Sequence, residues 1–439
     1  MIRFRPHIAL WTWSLSVLFL PAVFADPFGT HLTLQAALDY GRENNPQLQA
    51  AWNHWQGATE QIAVQKGWPD PLFSYGYYFE SVETRVGPQT QHFGIAQKFP
   101  GPGKRSLKKS IATDHAAGAE QRYKREKLHL DSVITRAYTE LYYLKRSINI
   151  TQDRITLIQD LEQVARTRYK AGSPFAPILQ AQVELGRLED RLNSLTDLQH
   201  PQKARLNAAL NRAAAAPLPW PTRLPYRPVK TDAEALRQNL ARTSPELAEL
   251  AHKIEQGQHQ LQLAKRERLP DLTLGVQYIE TGKAAGSPAG NGKDPIIGTI
   301  GINLPLWFGK NRARIASAAH QKTAAQLLRE NRAQTLEADI QQTLFNLRDA
   351  DRKINLYKQS LIPKARQSRE VNRKGYEVGH MEFINLIDAE RMMLEFELAH
   401  ERARADHLIA RAELSQLTGI DFLNVDGASS SVSNEQETP

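Results

Sequence analysis

The chain has 439 residues, no cysteine, a formal net charge of +9 and a mean hydropathy of −0.50. The lack of cysteine excludes disulfide frameworks, thiolate metal centres, thiol catalysis and a lipid-modified N-terminal cysteine. After residue 25 there is no apolar run of about 18 residues, which excludes a membrane-spanning helix from that point on. The 56 basic and 47 acidic residues make a surface of mixed sign, so the positive balance alone does not indicate nucleic acid as a partner.

The first residues have the pattern of a secretory signal. Arg3 and Arg5 precede an apolar stretch from Ile8 to Leu20, and Val23-Phe24-Ala25 offers small residues at the positions that signal peptidases read. The alternative is an N-terminal membrane anchor, for which the apolar stretch is short. We therefore expect residues 1–25 to be a signal peptide, and export also counts against nucleic acid as a partner.

Residues 26–212 read as a first structural unit of helices around a strand hairpin. A helical pattern from Leu34 to Trp68 is broken at Pro46, and two stretches of period-two alternation predict a hairpin over 71–99. An apolar heptad then runs through 106–169 and predicts a long helix, which ends at Gly172 before a further helix over 178–212. The first strand places one set of bulky side chains on one face: Phe73, Tyr75, Tyr77 and Phe79.

Residues 231–419 repeat this unit about 200 positions later. Pro69-Asp70 recurs as Pro270-Asp271, and Tyr169-x-x-Gly172 recurs as Tyr376-x-x-Gly379. The repeat predicts a hairpin over 271–305, a long helix over 311–378 and a last helix over 382–418. Its first strand again has one apolar face: Leu272, Leu274, Val276 and Tyr278. The units are joined by a proline-rich linker over 213–230, and residues 420–439 are expected to be a disordered tail.

The lengths of the helices predict a rod. In each unit the two shorter helices together are nearly as long as the long helix, so they can stack end to end beside it. The strands have the length of bilayer-crossing β-strands, with one apolar face and one polar face. In lipid every strand edge must be paired, and four strands are too few for a barrel. Two chains would supply eight strands and three would supply twelve. The alternative for each hairpin is a half-buried hairpin in a soluble domain.

These features resemble the outer membrane efflux protein family, the TolC-like exit ducts of Gram-negative bacteria. The resemblance lies mainly in the Tyr-x-x-Gly turns and in the strand exits over 99–105 and 304–312. It implies a mainly α-helical fold with a β-barrel portion: a homotrimer with one 12-stranded transmembrane barrel in outer-membrane lipid on a periplasmic helical tunnel. It also implies a periplasmic adaptor and a proton-driven inner-membrane pump as partners. Residues 99–105 look most like the heavy-metal-efflux branch, which makes metal cations a candidate cargo.

The site residues expected from this reading lie at the rod end that carries the two turns. The resemblance implies adaptor docking there, at Tyr169, Gly172, Ser173, Tyr376, Gly379 and Glu382. In a trimer, the nearby carboxylates would form rings that favour cations: Glu377, Glu382 and Asp388. The alternative is that these carboxylates are solvated charges at helix ends.

Other function classes find less support in the sequence. No catalytic pair, metal-ligand spacing or cofactor motif is recognisable, so we expect no enzyme, no cofactor and no resident metal. A periplasmic enzyme therefore lacks a visible site. The main alternative is a secreted or surface trimeric coiled-coil protein for structure or adhesion, which would not need the apolar strand faces.

Overall fold

A computed structural model describes residues 28–229, 233–286 and 288–423 of the chain. The expected signal peptide over 1–25 lies outside the described residues, as does residue 230 of the expected linker. Of the expected tail, residues 420–423 are described and 424–439 are not. Among the described residues, no helix is both long enough and apolar enough to cross a membrane.

The two units have the same order of elements. The first contains α1 (Leu34–Asn44), α2 (Pro46–Lys66), β1 (Leu72–Thr84), β2 (Gly87–Phe99), α3 (Lys104–Lys170), α4 (Ala176–Asp197) and α5 (Gln199–Ala209). The second contains α6 (Ala233–Thr243), α7 (Pro245–Arg266), β3 (Leu272–Thr281), β4 (Ile296–Ile302), α8 (Phe308–Leu356), a π-helical segment (Tyr357–Leu361), α9 (Ile362–Glu377) and α10 (Phe383–Thr418). This order confirms the duplicated unit of helix, hairpin, long helix and helix. The domain bounds given above stay predictions.

Two predicted helices are interrupted, in each case next to a proline. The expected long helix over 311–378 contains the π-helical segment 357–361 just before Pro363. Proline lacks an N–H and its ring clashes with the carbonyl four residues back, which a wider turn relieves. The expected helix over 178–212 is divided at Leu198 for the same reason, because Pro201 cannot donate to the carbonyl of Asp197.

The short helices of each unit meet end to end, as their lengths predict. At the junction of α5 and α2, Asn45 donates from its side-chain amide to the carbonyl of Ala209 at 3.2 Å. Asn211 donates in return to the carbonyl of Asn44 at 3.1 Å. In the second unit α10 ends at Gly419, where an added Cβ would lie 2.1 Å from the carbonyl oxygen of Thr243, so its end is packed against the start of α7. The long helices α3 and α8 run alongside these composite lines.

The core is divided among clusters along the rod rather than gathered in one globule. The cluster at mid-length packs α1, α3 and α5 together around Ile134 and Leu206, both fully buried. Tyr138 lies in the same cluster and donates its hydroxyl hydrogen to the carbonyl of Arg223 at 3.0 Å, which holds the extended chain after α5 against α3. A second cluster packs α3, α4 and α10 near the two turns. This distribution follows from paired helices, each of which can bury only one stripe.

Charged side chains connect α3 to α10 across this second cluster. Arg154 is buried and pairs with Glu390 at 2.6 Å and with Glu397 at 2.7 Å. Burial raises the pKa of Glu390, and the Arg154 guanidinium opposes that rise. Arg391 of α10 likewise pairs with Glu184 of α4 at 2.6 Å. Ion pairs of this kind fix which faces of the helices meet, because a wrong alignment would leave a buried charge unpaired.

Replacing Arg154 with alanine should destabilise the rod strongly. Glu390 would lose its closest cation while staying buried, and breaking a buried pair in this way costs about 3–5 kcal/mol. The loss should be smaller near pH ~5 than near pH ~8, because without Arg154 the pKa of Glu390 rises further and the neutral carboxyl is cheaper to bury.

The measurement is the denaturant midpoint of the helical circular dichroism signal in detergent. Arg352→Ala is the matched control, since the Arg352 side chain is 65% exposed and pairs with Asp349 of its own helix, which predicts a change of about 0–1 kcal/mol. Equal effects of the two substitutions would contradict a structural role for the Arg154 pairs.

Candidate functional site: the strand sheet and the helical tip

The four strands form one antiparallel sheet in the order β1-β2-β3-β4. Pairing between β2 and β3 therefore joins the two units of the chain. Among the residues that the structure describes, β1 and β4 are the edge strands, and each has one side of its backbone without a strand partner. Such an edge is a template for pairing with another chain.

One face of this sheet is apolar, and the register shows how the rows align. Phe73 lies opposite Ile95, which lies opposite Val276. Tyr75 lies opposite Phe93, which lies opposite Tyr278. The same face holds the other strand residues singled out in the sequence: Tyr77, Phe79, Leu272 and Leu274. All eight are exposed in the single chain, up to 96% for Phe79. Their contact with lipid stays a prediction.

The opposite face is mostly small and polar. Ser74 lies opposite Gly94, which lies opposite Gln277. This face also carries two isoleucines that the alternation pattern did not reveal, Ile279 opposite His92 and Ile297 opposite Gln277. The contrast between the faces is therefore strong but incomplete.

An ion cluster around the buried Lys104 lies at the end of the sheet where β2 leads into α3. Asp271 accepts a hydrogen bond from Lys104 Nζ at 2.7 Å and one from the backbone N–H of Gly101 at 2.8 Å, and it pairs with Lys98 at 3.1 Å. Burial acts to raise the pKa of Asp271, but these donors outweigh it and lower the pKa to about 2. The sequence marked Asp271 only as a repeated residue, because its partners lie more than 150 positions away.

At the other end of the rod, both units turn by the same backbone motif. Gly172 has φ +95° and Gly379 has φ +83°, a left-handed conformation that favours glycine. In the first turn the N–H of Ser173 donates to the carbonyl of Arg168, and in the second the N–H of His380 donates to Gly375, each at 3.0 Å or less. These are Schellman motifs, as the Tyr-x-x-Gly pattern predicts. We call residues 168–175 and 375–383 together the tip.

The two turns of the tip are in contact. Arg168 donates to the backbone carbonyl of Tyr376, and its guanidinium lies 4.6 Å from the centre of the Tyr376 ring. Each turn also has an edge-to-face aromatic pair with centroids 5.2 Å apart, Tyr169 with Phe175 and Tyr376 with Phe383. The second pair is buried, whereas Tyr169 and Phe175 are about half exposed. The first turn therefore presents an open aromatic surface.

The three candidate carboxylates differ in their surroundings. Glu377 accepts a hydrogen bond from Arg373 at 2.7 Å, and Asp388 accepts one from Arg391 at 3.1 Å. Glu382 precedes α10, and no ion pair to its side chain is formed within the described part of the chain. Over the same described ranges no group of three or more His, Cys, Asp or Glu is arranged to hold a metal ion.

The chain thus joins a sheet with one apolar face and two open edges to a long rod of paired helices, a fold that it shares with solved outer-membrane channels. Comparisons with known proteins agree with this class. The model of the family described as outer membrane efflux protein matches residues 236–420, which coincide with the second unit.

Two curated proteins are similar in sequence. A pyoverdine export outer membrane protein, OpmQ of Pseudomonas putida, is 23% identical over 306 residues, which cover 67% of this chain and 62% of that protein. The outer membrane protein TolC of Vibrio cholerae is 24% identical over 327 residues, covering 70% of this chain and 72% of that protein. The chain thus spans less than two thirds of the length of the first of these relatives.

The fold is also found in solved structures. The outer membrane protein VceC of Vibrio cholerae aligns with a TM-score of 0.71 at 18% identity, covering 89% of this chain and 96% of that one. The structural likeness shows the fold, and the sequence comparisons show that the chain, most clearly in its second unit, is similar to the outer membrane efflux protein family. It is an outer-membrane protein of a Gram-negative cell, with its helical rod in the periplasm.

Replacing Arg168 with alanine should loosen the tip. The side chain contributes a charge-assisted hydrogen bond and a cation–π contact between the two turns. Losing ~1–2 kcal/mol of local stability raises the population of opened states about 5- to 30-fold. We expect limited proteolysis by a glutamate-specific protease at Glu377 and Glu382 to accelerate by a similar factor.

The control is Arg187→Ala on α4, because Arg187 is exposed and its guanidinium lies 3.9 Å from Glu184 of its own helix. That variant should be cleaved at the unmodified rate. If Arg168→Ala is cleaved no faster than this control, Arg168 does not hold the two turns together.

Proposed function

We propose that the protein is the outer-membrane exit duct of a tripartite efflux system and works as a homotrimer. It would passively conduct substrates that an inner-membrane pump and a periplasmic adaptor deliver. The observation that carries this proposal is the sheet with one apolar face and two open edges at the end of the helical rod. Backbone edges cannot stay unpaired in lipid, so the sheet must close with sheets of other copies.

The tip is the proposed docking surface for the adaptor. Tyr169 and Phe175 offer a rigid, half-exposed aromatic pair, and aromatic side chains are frequent anchors of protein interfaces. Gly172, Ser173 and Gly379 would fix the shape of the surface through the two Schellman motifs. Tyr376 would support it from beneath, since it is buried under Arg168.

Within the duct, the candidate constriction would depend mainly on Glu382. Glu377 and Asp388 are already paired with arginines of their own helices, which reduces the negative field that they would contribute. Three copies of Glu382 around the threefold axis would favour cations.

Selection of the cargo is assigned to the pump. Metal cations are a candidate cargo because residues 99–105 resemble the heavy-metal-efflux branch. Such a duct would pass an ion without holding it. The alternative of a secreted coiled-coil protein for attachment is disfavoured by the apolar strand face, for which it has no use.

The test of this proposal is a pair of adjacent substitutions on the central strand β3. Val276 lies on the apolar face and Gln277 on the opposite face. Arginine on a lipid-facing position near mid-membrane costs about 2–4 kcal/mol, whereas positions that line the lumen tolerate charge. Val276→Arg should therefore prevent accumulation of the trimer in outer membranes, and Gln277→Arg should leave the trimer in place.

Assembly is measured as the unboiled trimer extracted from outer membranes in detergent, and conduction as ion current across a planar lipid bilayer. Gln277→Arg should still conduct, with altered ion selectivity. A native protein that stays soluble without detergent, or that inserts without conducting, would contradict the duct.

A further inference from the structure

In the proposed trimer, β4 of one subunit lies beside β1 of the next. We propose that the internal repeat fixes the residue register of this seam, and that Lys310 forms an ion pair with the partner subunit's Asp70 at its end. The partner is a second copy of this chain. The inference deepens the proposed function and rests on it, because it assumes that several copies share one barrel. It names residue contacts at the interface between subunits. A single chain shows only the two strand edges that would form this interface.

The repeat supplies the correspondence between strands. Pro69-Asp70 corresponds to Pro270-Asp271, so Phe73 of β1 corresponds to Leu274 of β3. Phe73 lies opposite Ile95 in its hairpin, and Leu274 lies opposite Ile300 in its own. Ile95 of β2 therefore corresponds to Ile300 of β4. Corresponding residues lie on the same face of the sheet in both hairpins, as the assignment requires.

The contact between β2 and β3 then serves as a template for the contact between subunits. In one chain Ile95 lies opposite Val276, and Gln97 lies opposite Leu274. When these two pairs are transferred through the repeat, Ile300 is placed opposite the partner subunit's Tyr75, and Ile302 is placed opposite the partner subunit's Phe73. On the other face the pair Ala96 and Gly275 transfers to Gly301 opposite the partner subunit's Ser74.

This register makes chemical sense at both faces. Isoleucines meet aromatic residues on the apolar face, where such cross-strand pairs stabilise a sheet. Two small residues meet on the polar face. The directions also agree, because the strands alternate in one antiparallel sheet and β4 therefore runs opposite to β1. A shift by one residue would bring apolar side chains to the polar face.

The ion pair follows from the same correspondence. Lys104 and Asp271 join the end of β2 to the start of β3 at 2.7 Å, and Lys104 is only 6% exposed. Their counterparts are Lys310, after β4, and Asp70, before β1. Both are exposed, and neither has an ion pair over the ranges that the structure describes. The two free edges thus carry opposite charges at the same end of the sheet.

One difference between the units does not disturb this transfer. In the first unit two residues separate Pro100 from Gly103. In the second unit three residues separate Pro305 from Gly309. The extra residue lies beyond the end of β4, so it leaves the strand register unchanged. It lengthens the segment that would carry Lys310 to its partner.

Disulfide cross-linking tests the register, and the chain offers a background without native cysteine. Within the regular part of β1, which ends at Tyr77, the template predicts two pairs between subunits that are four residues apart: Ile302 with Phe73, and Gly298 with Tyr77. We expect the double variants Phe73→Cys with Ile302→Cys, and Tyr77→Cys with Gly298→Cys, to form covalent dimers and trimers on mild oxidation.

The matched controls exchange the partners. Cysteines at 73 and 298, or at 77 and 302, would be four residues out of register, about 13 Å apart along the strand, which exceeds the reach of a disulfide. They should not cross-link. A trimer in which the exchanged pairs link, or in which no pair links, would overturn the seam and leave the duct standing. A protein without trimers would overturn both.

Charge reversal tests the ion pair separately. Lys310→Asp and Asp70→Lys should each lower the temperature at which the unboiled trimer dissociates, and combining them should restore at least half of the loss. Lys108→Asp, at an exposed lysine of the same end, should have no such effect and no rescue by Asp70→Lys. If the dissociation temperature of the double variant is no higher than the sum of the two single losses predicts, the ion pair is overturned.

Discussion

The structure depends on one constraint: a backbone hydrogen-bonding group in lipid must find a partner in protein. One chain builds a four-stranded sheet whose apolar face suits a membrane, yet its first and last strands each have an unpaired edge. No rearrangement within four strands removes these edges, because a barrel needs at least eight. The assembly is therefore not an addition to a finished fold. In the proposed duct, the membrane-embedded part is incomplete until copies of the chain share it.

The duplication explains how one chain prepares for this. The contact between β2 and β3, with its partly buried Asp271, shows how one unit meets the next unit along the chain. Three chains would present six such units, in which contacts within a chain alternate with contacts between chains. The two units are alike in the backbone of their turns but not in their surfaces. Tyr376 and Phe383 are buried at the tip, whereas Tyr169 and Phe175 remain open to a partner. The two turns share one backbone motif, and their side chains differ in a way that separates an internal contact from the proposed docking surface.

Local patterns were sufficient for most of the fold. The heptad, the period-two strands and the Tyr-x-x-Gly turns each depend on residues close in sequence, and the structure has the long helix α3, the hairpins and the Schellman motifs at the expected places. The stacking of short helices followed from lengths alone. The π-helical segment before Pro363 was missed because a strong heptad pattern concealed a single proline. The break at Leu198 has the same origin.

The candidate site was less predictable, since its contacts are distant in sequence. Asp271 and Lys104 meet across 167 positions, and Arg154 and Glu390 across 236. No local spacing reveals such pairs. For the same reason the sequence treated Glu377, Glu382 and Asp388 alike, although arginines pair with the first and the third. The repeat could have pointed to Asp271 through its likeness to Asp70, but only the folded chain shows which lysine it meets.

The central claim is that the barrel is completed by three copies of the chain. Native mass spectrometry of the protein, released from lipid nanodiscs after extraction from outer membranes, tests it most directly. The account predicts one dominant species with the mass of three chains after removal of residues 1–25. A dominant monomer that still crosses the membrane, or an assembly of two or four chains, would contradict it.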